Sequence, residues 1–146
     1  MASQEVDSKL QKQLDEFSTT SRQCFREKNF DGFVSAVHSQ WELLPDPKEQ
    51  WEESFRIAST MITLFSTYYI NFEKAEKWLR TLDNLDKIQQ QHPGEVSLMK
   101  GKIYFEKKEF TEAKIAFEKA FKDSDGHCFG SGDEKYSEFF NNPQNN

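Results

Sequence analysis

A twelve-residue loop, Asp123 to Glu134, carries the side chains whose spacing comes nearest to a known ion site. Positions 1, 3, 5, 9 and 12 of the loop hold Asp123, Asp125, His127, Ser131 and Glu134. An EF-hand loop binds calcium through side chains at this spacing. Cys128 stands where the EF-hand requires glycine, because the chain must turn sharply there. We therefore interpret the segment as a capped turn between helices and expect it to bind no calcium.

His127 and Cys128 are adjacent, and one more His or Cys at suitable spacing would make them a candidate zinc site. The remaining candidates, His38, His92 and Cys24, form no spaced pair. Cys128 is also a weak candidate nucleophile, because a reactive thiol needs a base and an orienting group. Adjacency in sequence does not place the His127 ring on the Cys128 sulfur. The sequence therefore predicts no catalytic residue, no metal site and no cofactor.

Composition restricts the classes of partner. The 146 residues carry a net charge of −6, which disfavours nucleic acid, since nucleic-acid binding needs a basic stripe. The longest apolar run is too short for a membrane span, and the polar N-terminus predicts no signal peptide. Two cysteines give no disulfide framework, so we expect a reducing cytoplasm. The acidic charge suits a basic protein partner.

The elements that would position these side chains are helices, because apolar residues recur at helical spacing and no segment alternates as a strand does. Six helices are predicted, at about 5–28, 30–44, 48–69, 72–91, 95–108 and 110–122. Asp133 is expected to cap a short helix through Phe140 that closes the end of the helical stack. The predicted fold is all-α, with one domain over residues 1–140 and a disordered tail over 141–146.

Three segments begin the second helix of successive hairpins. They are Asn29-Phe30, Asn71-Phe72 and Glu109-Phe110, which recur at intervals of 42 and 38 residues. The run Cys24–Phe30 also aligns without a gap on Tyr104–Phe110. Three degenerate repeats therefore span about residues 6–122, and a period of this size predicts a short helical solenoid.

The last of these repeats has the clearest pattern. Small residues at Gly101, Ala113 and Ala120 would let two antiparallel helices approach closely. The rings of Tyr104 and Phe117, together with Phe110, would fill the space between and beneath them. In this order the residues resemble the tetratricopeptide repeat, a helix-turn-helix unit of about 34 residues.

A wider set of segments resembles a family of small bacterial tetratricopeptide-like proteins encoded beside polymorphic toxin genes. The segments are Trp41–Lys48, Trp51–Ser54, Phe72–Trp78, Gly101–Phe105, His127–Phe129, Asp133–Tyr136 and Phe139-Phe140. This resemblance implies an immunity protein, which is a cytoplasmic antidote that binds its cognate toxin domain without catalysis. An acidic antidote suits a basic nuclease toxin. The alternative is a general tetratricopeptide adaptor or co-chaperone, although the Lys and Asn set that clamps a peptide carboxylate is incomplete here.

The first helix of each repeat lines the concave side of such a solenoid. Aromatic and Arg side chains dominate interface energetics, so we predict a contact patch centred on Phe25, Tyr68 and Phe105. The cationic residues expected around it are Arg22, Arg26 and Lys102. The alternative is that the three rings belong to the core.

A second predicted surface is the acidic edge that follows the double-proline turn. It consists of Glu49, Glu52 and Glu53. The alternative interpretation is a solvated helix junction, since charge runs usually face water.

Overall fold

A computed structural model describes residues 7–142, and within that range there are seven α-helices and no β-sheet. The helices are α1 Ser8–Arg26, α2 Phe30–Leu43, α3 Glu52–Thr63, α4 Phe72–Gln89, α5 Glu95–Glu106, α6 Phe110–Asp123 and α7 Glu134–Asn141. A 3-10 turn, Lys48–Gln50, precedes α3, and a π-helical turn, Leu64–Tyr68, follows it. The prediction of an all-α protein with a short C-terminal helix is confirmed.

The chain divides into two compact units, and the boundary along the chain lies between Ile57 and Ala58 within α3. The prediction of a single domain over residues 1–140 stays a prediction. Asn141, which was assigned to the tail, is the last residue of α7. The predicted start of the first helix at Glu5 and the remaining tail from 143 onward lie outside the described residues.

In the first unit, α1 and α2 form a helical hairpin fastened by one buried amide. The Gln40 side chain donates to the Leu14 carbonyl at 2.8 Å and to the Ser18 hydroxyl at 2.7 Å. Ser21 in turn donates its hydroxyl proton to the Ser18 carbonyl. The cluster of hydroxyl residues in α1 therefore does not break the helix, because its polar groups find partners that leave the helix intact.

The second unit is built around a ring packed against a glycine. Phe117 on α6 is fully buried, and a Cβ atom added to Gly101 on α5 would lie 2.5 Å from its Cε1 atom. Only a residue without a side chain allows this approach. Ala113 and Ala120 border the same ring and are also fully buried. The close approach predicted for the last repeat is confirmed, although Phe110 lies at its edge and is exposed.

The third predicted helix is the element where the sequence interpretation was wrong. A single helix over 48–69 was expected, but the chain forms a 3-10 turn, then α3, then a π-helical turn. Within the π-helical turn the Tyr69 amide donates to the Leu64 carbonyl at 3.1 Å, five residues back instead of four. A wider turn rotates the side chains that follow it, and Tyr69 is consequently exposed.

The turns before α2, α4 and α6 share one construction, in which a residue with left-handed backbone precedes the helix N-cap. The left-handed residues are Lys28 (φ 58°), Ile70 (φ 53°) and Lys108 (φ 65°). The N-cap residues are Asn29, Asn71 and Glu109. Both asparagines accept a hydrogen bond from a backbone N–H of the helix they begin, as N-caps do, whereas the Glu109 side chain does not.

The amide of each N-cap residue closes its turn onto a carbonyl of the preceding helix. In the first and third turns donor and acceptor are five residues apart: Asn29 to Cys24 at 2.8 Å, and Glu109 to Tyr104 at 2.9 Å. In the second turn the Asn71 amide donates to the Phe65 carbonyl at 2.8 Å, six residues back. The second turn therefore holds one residue more than the other two, and the π-helical turn absorbs it.

We expect Phe117→Ala to lower the free energy of unfolding by about 3–5 kcal/mol, because it leaves a cavity against Gly101. Ile115→Ala on the same helix is the control, since Ile115 is 63% exposed. The control should change stability by less than about 0.5 kcal/mol. Urea denaturation of both variants measures the difference, and equal losses would show that the Phe117 contact is not what stabilises the hairpin.

Candidate protein-binding surface

The last residue of the π-helical turn and the two residues after it expose three large apolar side chains in succession. Tyr68, Tyr69 and Ile70 are 46%, 37% and 56% exposed, and we call them the apolar turn. Ile70 is β-branched and has a φ of 53°, a conformation that such residues rarely adopt. Strain of this kind costs about 1–3 kcal/mol and is concentrated at functional sites. The apolar turn is therefore the leading candidate for a contact surface.

The backbone beneath the apolar turn is firmly anchored. Leu64, Phe65 and Ser66, the first three residues of the π-helical turn, are buried. The Tyr69 ring lies 5.5 Å from the Phe65 ring, and the Lys74 ammonium group lies 5.4 Å from the centre of the Phe65 ring. An exposed apolar group on a fixed backbone loses little conformational entropy when it binds a partner.

Helix α7 reaches the same turn through a chain of polar contacts. The Tyr136 hydroxyl donates to Glu106 Oε2 on α5 at 2.7 Å, and it lies 3.4 Å from the Thr67 hydroxyl in the π-helical turn. Lys135 Nζ pairs with the same Glu106 oxygen at 2.7 Å. Burial is the main cause that raises the pKa of Tyr136, so its hydroxyl stays protonated at neutral pH.

Lys102, predicted to border the contact patch, is only 5% exposed. Its ammonium group pairs with Asp133 Oδ1 at 2.8 Å and lies 5.4 Å from the centre of the Tyr136 ring. The prediction of a surface role is wrong for this residue, since its charge is directed into the fold. The predicted capping role of the Asp133 side chain is also wrong. That carboxylate binds Lys102 and the Gly130 amide instead of the amides of α7.

Phe105 also belongs to the packed part of the second unit. Its ring centre lies 5.2 Å from those of Tyr136 and Phe139 on α7, and it packs against the core. Of the second-unit residues predicted for the patch, only Tyr68 presents an exposed side chain. For Phe105 the alternative of a core position fits the structure.

The first unit holds the other three residues of the predicted patch. Phe25 is exposed, but its ring packs edge-on against Phe30 at 5.9 Å and lies 5.5 Å from Phe33. Arg22 and Arg26 are exposed and donate to Thr19 and Gln23 on their own helix. These residues form an exposed group at the end of α1.

The acidic edge lies at the start of α3. Glu49 is in the 3-10 turn, and Glu52 and Glu53 occupy the first turn of the helix. Acidic residues at this place stabilise a helix, because its N-terminus carries a partial positive charge. This local role explains the presence of Glu52 and Glu53 without invoking a binding protein. A partner-binding role for the acidic edge stays a prediction.

The described part of the chain also bears on metal binding, thiol reactivity and membrane insertion. Within residues 7–142 no three His, Cys, Asp or Glu side chains are grouped so as to hold a metal ion. Burial raises the pKa of the Cys128 thiol, which therefore stays in its less reactive protonated form at neutral pH. None of the helices described is both long and apolar enough to cross a membrane.

Sequence reasoning missed Tyr69 and Ile70. A signal for them was present in the spacing of the repeats. Cys24 to Phe30 and Tyr104 to Phe110 are each six residues apart, whereas Phe65 to Phe72 is seven. One residue too many in a repeat marks a bulge, and the residues beside a bulge are directed away from the regular stripe.

Comparisons with models of known protein families, with curated proteins and with solved structures found no significant match to this chain. The resemblance to an immunity family therefore stays a prediction from the quoted segments. The geometry of the apolar turn is the feature from which a function can be proposed.

We expect Lys102→Met to lower the free energy of unfolding by about 2 kcal/mol, because it leaves the Asp133 carboxylate partly buried without its cation. Lys100→Met is the control, since Lys100 is an exposed lysine two positions away on the same helix. The control should change stability by less than about 0.5 kcal/mol. A Lys102→Met variant as stable as the control would contradict the structural role assigned to the Lys102–Asp133 pair.

Proposed function

We propose that the chain acts by binding another protein and not by catalysis, and that the apolar turn is its main contact. The observation that carries this proposal is the exposure of Tyr68, Tyr69 and Ile70 in one strained segment. Tyrosine is enriched at the energetically dominant positions of interfaces, because it brings a large rigid area and a polar tip. Such side chains are suited to entering an apolar pocket on a partner.

We further propose that the partner is a toxin domain and that the chain is its cytoplasmic immunity protein. The resemblance described above supports this, and so does the combination of a helical scaffold with a rigid exposed turn. An antidote needs specificity and fast capture, and neither requires chemistry. The net charge of −6 favours a partner with a basic surface, since opposite charges speed encounter. A nuclease toxin has such a surface because its active site must attract phosphate.

The direct test uses the C-terminal domain of a secreted toxin encoded immediately upstream of this gene. Tyr68→Ala and Ile70→Ala should each weaken its binding by about 2 kcal/mol, which is roughly 30-fold in Kd. The matched control is Ile88→Ala on α4, because Ile88 is 53% exposed but lies outside the apolar turn. Isothermal titration measures the affinities, and urea denaturation checks that all three variants stay folded.

Two outcomes contradict parts of this proposal separately. If the toxin domain binds Tyr68→Ala and Ile70→Ala as tightly as the wild type, the apolar turn is not the contact. If the wild-type chain does not bind the toxin domain at all, the immunity function is wrong. Binding of a free peptide in place of a toxin domain would favour the adaptor alternative.

A further inference from the structure

We propose that helix α7 positions the apolar turn, and that the hydrogen bond between Tyr136 and Thr67 carries this effect. The consequence for partner affinity rests on the proposed function, but the positioning itself is measurable on the free chain. Thr67 is the residue immediately before Tyr68 and lies within the π-helical turn. The Tyr136 hydroxyl of α7 lies 3.4 Å from the Thr67 hydroxyl in that turn. In this proposal α7 packs against the last hairpin and also positions the apolar turn.

The direction of the two hydrogen bonds follows from counting protons. The Tyr136 hydroxyl has one proton, which it donates in the 2.7 Å hydrogen bond to the Glu106 carboxylate. In the 3.4 Å contact the Thr67 hydroxyl is therefore the donor and the Tyr136 oxygen is the acceptor. A phenylalanine at position 136 would remove both bonds while keeping the ring.

The Tyr136 hydroxyl is held in place from several sides. Glu106, which accepts its proton, is itself paired with Lys135 at 2.7 Å. The ring of Tyr136 packs against Phe105 at 5.2 Å and Phe117 at 5.9 Å. The Lys102–Asp133 pair fixes the residue just before α7. These contacts give the hydroxyl a fixed position, so it can restrain the Thr67 side chain.

The Thr67 side-chain bond acts on the same turn as two backbone hydrogen bonds that close it. Its closing bonds are Tyr69 N–H to Leu64 O at 3.1 Å and Asn71 N–H to Phe65 O at 2.8 Å. A π-helical turn is an intrinsically uncommon conformation. Loss of the Thr67 bond should therefore open these two bonds more often. A turn that samples more conformations binds its partner more weakly, because binding must then order it.

Hydrogen exchange of the free, full-length chain tests the positioning. We expect Tyr136→Phe and Thr67→Val each to speed exchange of the Tyr69 and Asn71 amides about five-fold, the effect of losing one hydrogen bond. The internal control is the Asn29 amide, which closes the equivalent turn of the first hairpin. Its exchange should not change. Unchanged exchange at Tyr69 and Asn71 in both variants would overturn the proposal.

A second α7 variant separates positioning from general loosening of the helix. Phe139→Leu removes buried ring contacts of α7 but leaves the Tyr136 hydroxyl in place. It should not speed exchange of the Tyr69 and Asn71 amides relative to the rest of the second unit. If it speeds them as much as Tyr136→Phe does, the turn responds only to α7 stability, and the specific role of the Tyr136–Thr67 bond is wrong.

A double variant and a partner complete the test. Once Tyr136→Phe is present, Thr67→Val should add less than about two-fold to the exchange rates, because both changes remove the same bond. Full additivity would overturn the proposal.

With the toxin domain as probe, Tyr136→Phe should weaken binding about five-fold. If exchange changes as expected but this probe does not bind the wild type, the proposed function fails and the positioning by α7 stands.

Discussion

The constraint on which this structure depends is the closure of a helix end. The last carbonyl groups of a helix have no partner within it, and a buried one must be satisfied elsewhere. Here a left-handed residue turns the chain, and the amide of the next N-cap residue reaches back to close the end. The same step that ends one helix thereby begins the next. In the described residues this construction recurs at the turns before α2, α4 and α6.

The second turn satisfies that constraint with one extra residue, and the function proposed for the chain follows from this. Phe65 and Asn71 still make the closing bond, but the helix must widen into a π-helical turn to reach it. The widening directs Tyr68, Tyr69 and Ile70 outward. Exposed apolar side chains and a β-branched residue at positive φ both oppose stability. Under the proposed function, a binding partner is the physical reason to retain such a segment.

The sequence was sufficient for features that depend on local pattern. Helical spacing predicted the helices, and a glycine facing a phenylalanine predicted the close approach of Gly101 and Phe117. It was insufficient where the outcome depends on a distant partner. Nothing near Lys102 indicates that Asp133, from a glycine-rich loop, neutralises its charge. A constant helical period also cannot represent a π-helical turn, which is why a single helix was predicted over residues 48–69.

In our proposal the extra residue of the second turn serves binding and not folding. Deleting Tyr69 restores the six-residue spacing found in the other two turns. The measurement is the free energy of unfolding of this deletion variant by urea denaturation. We expect the free energy of unfolding of the deletion variant to equal or exceed that of the wild type, because an ordinary helix end replaces the π-helical turn. A value lower by more than about 1 kcal/mol, which is the loss expected of an average substitution, would show that the fold itself requires the extra residue.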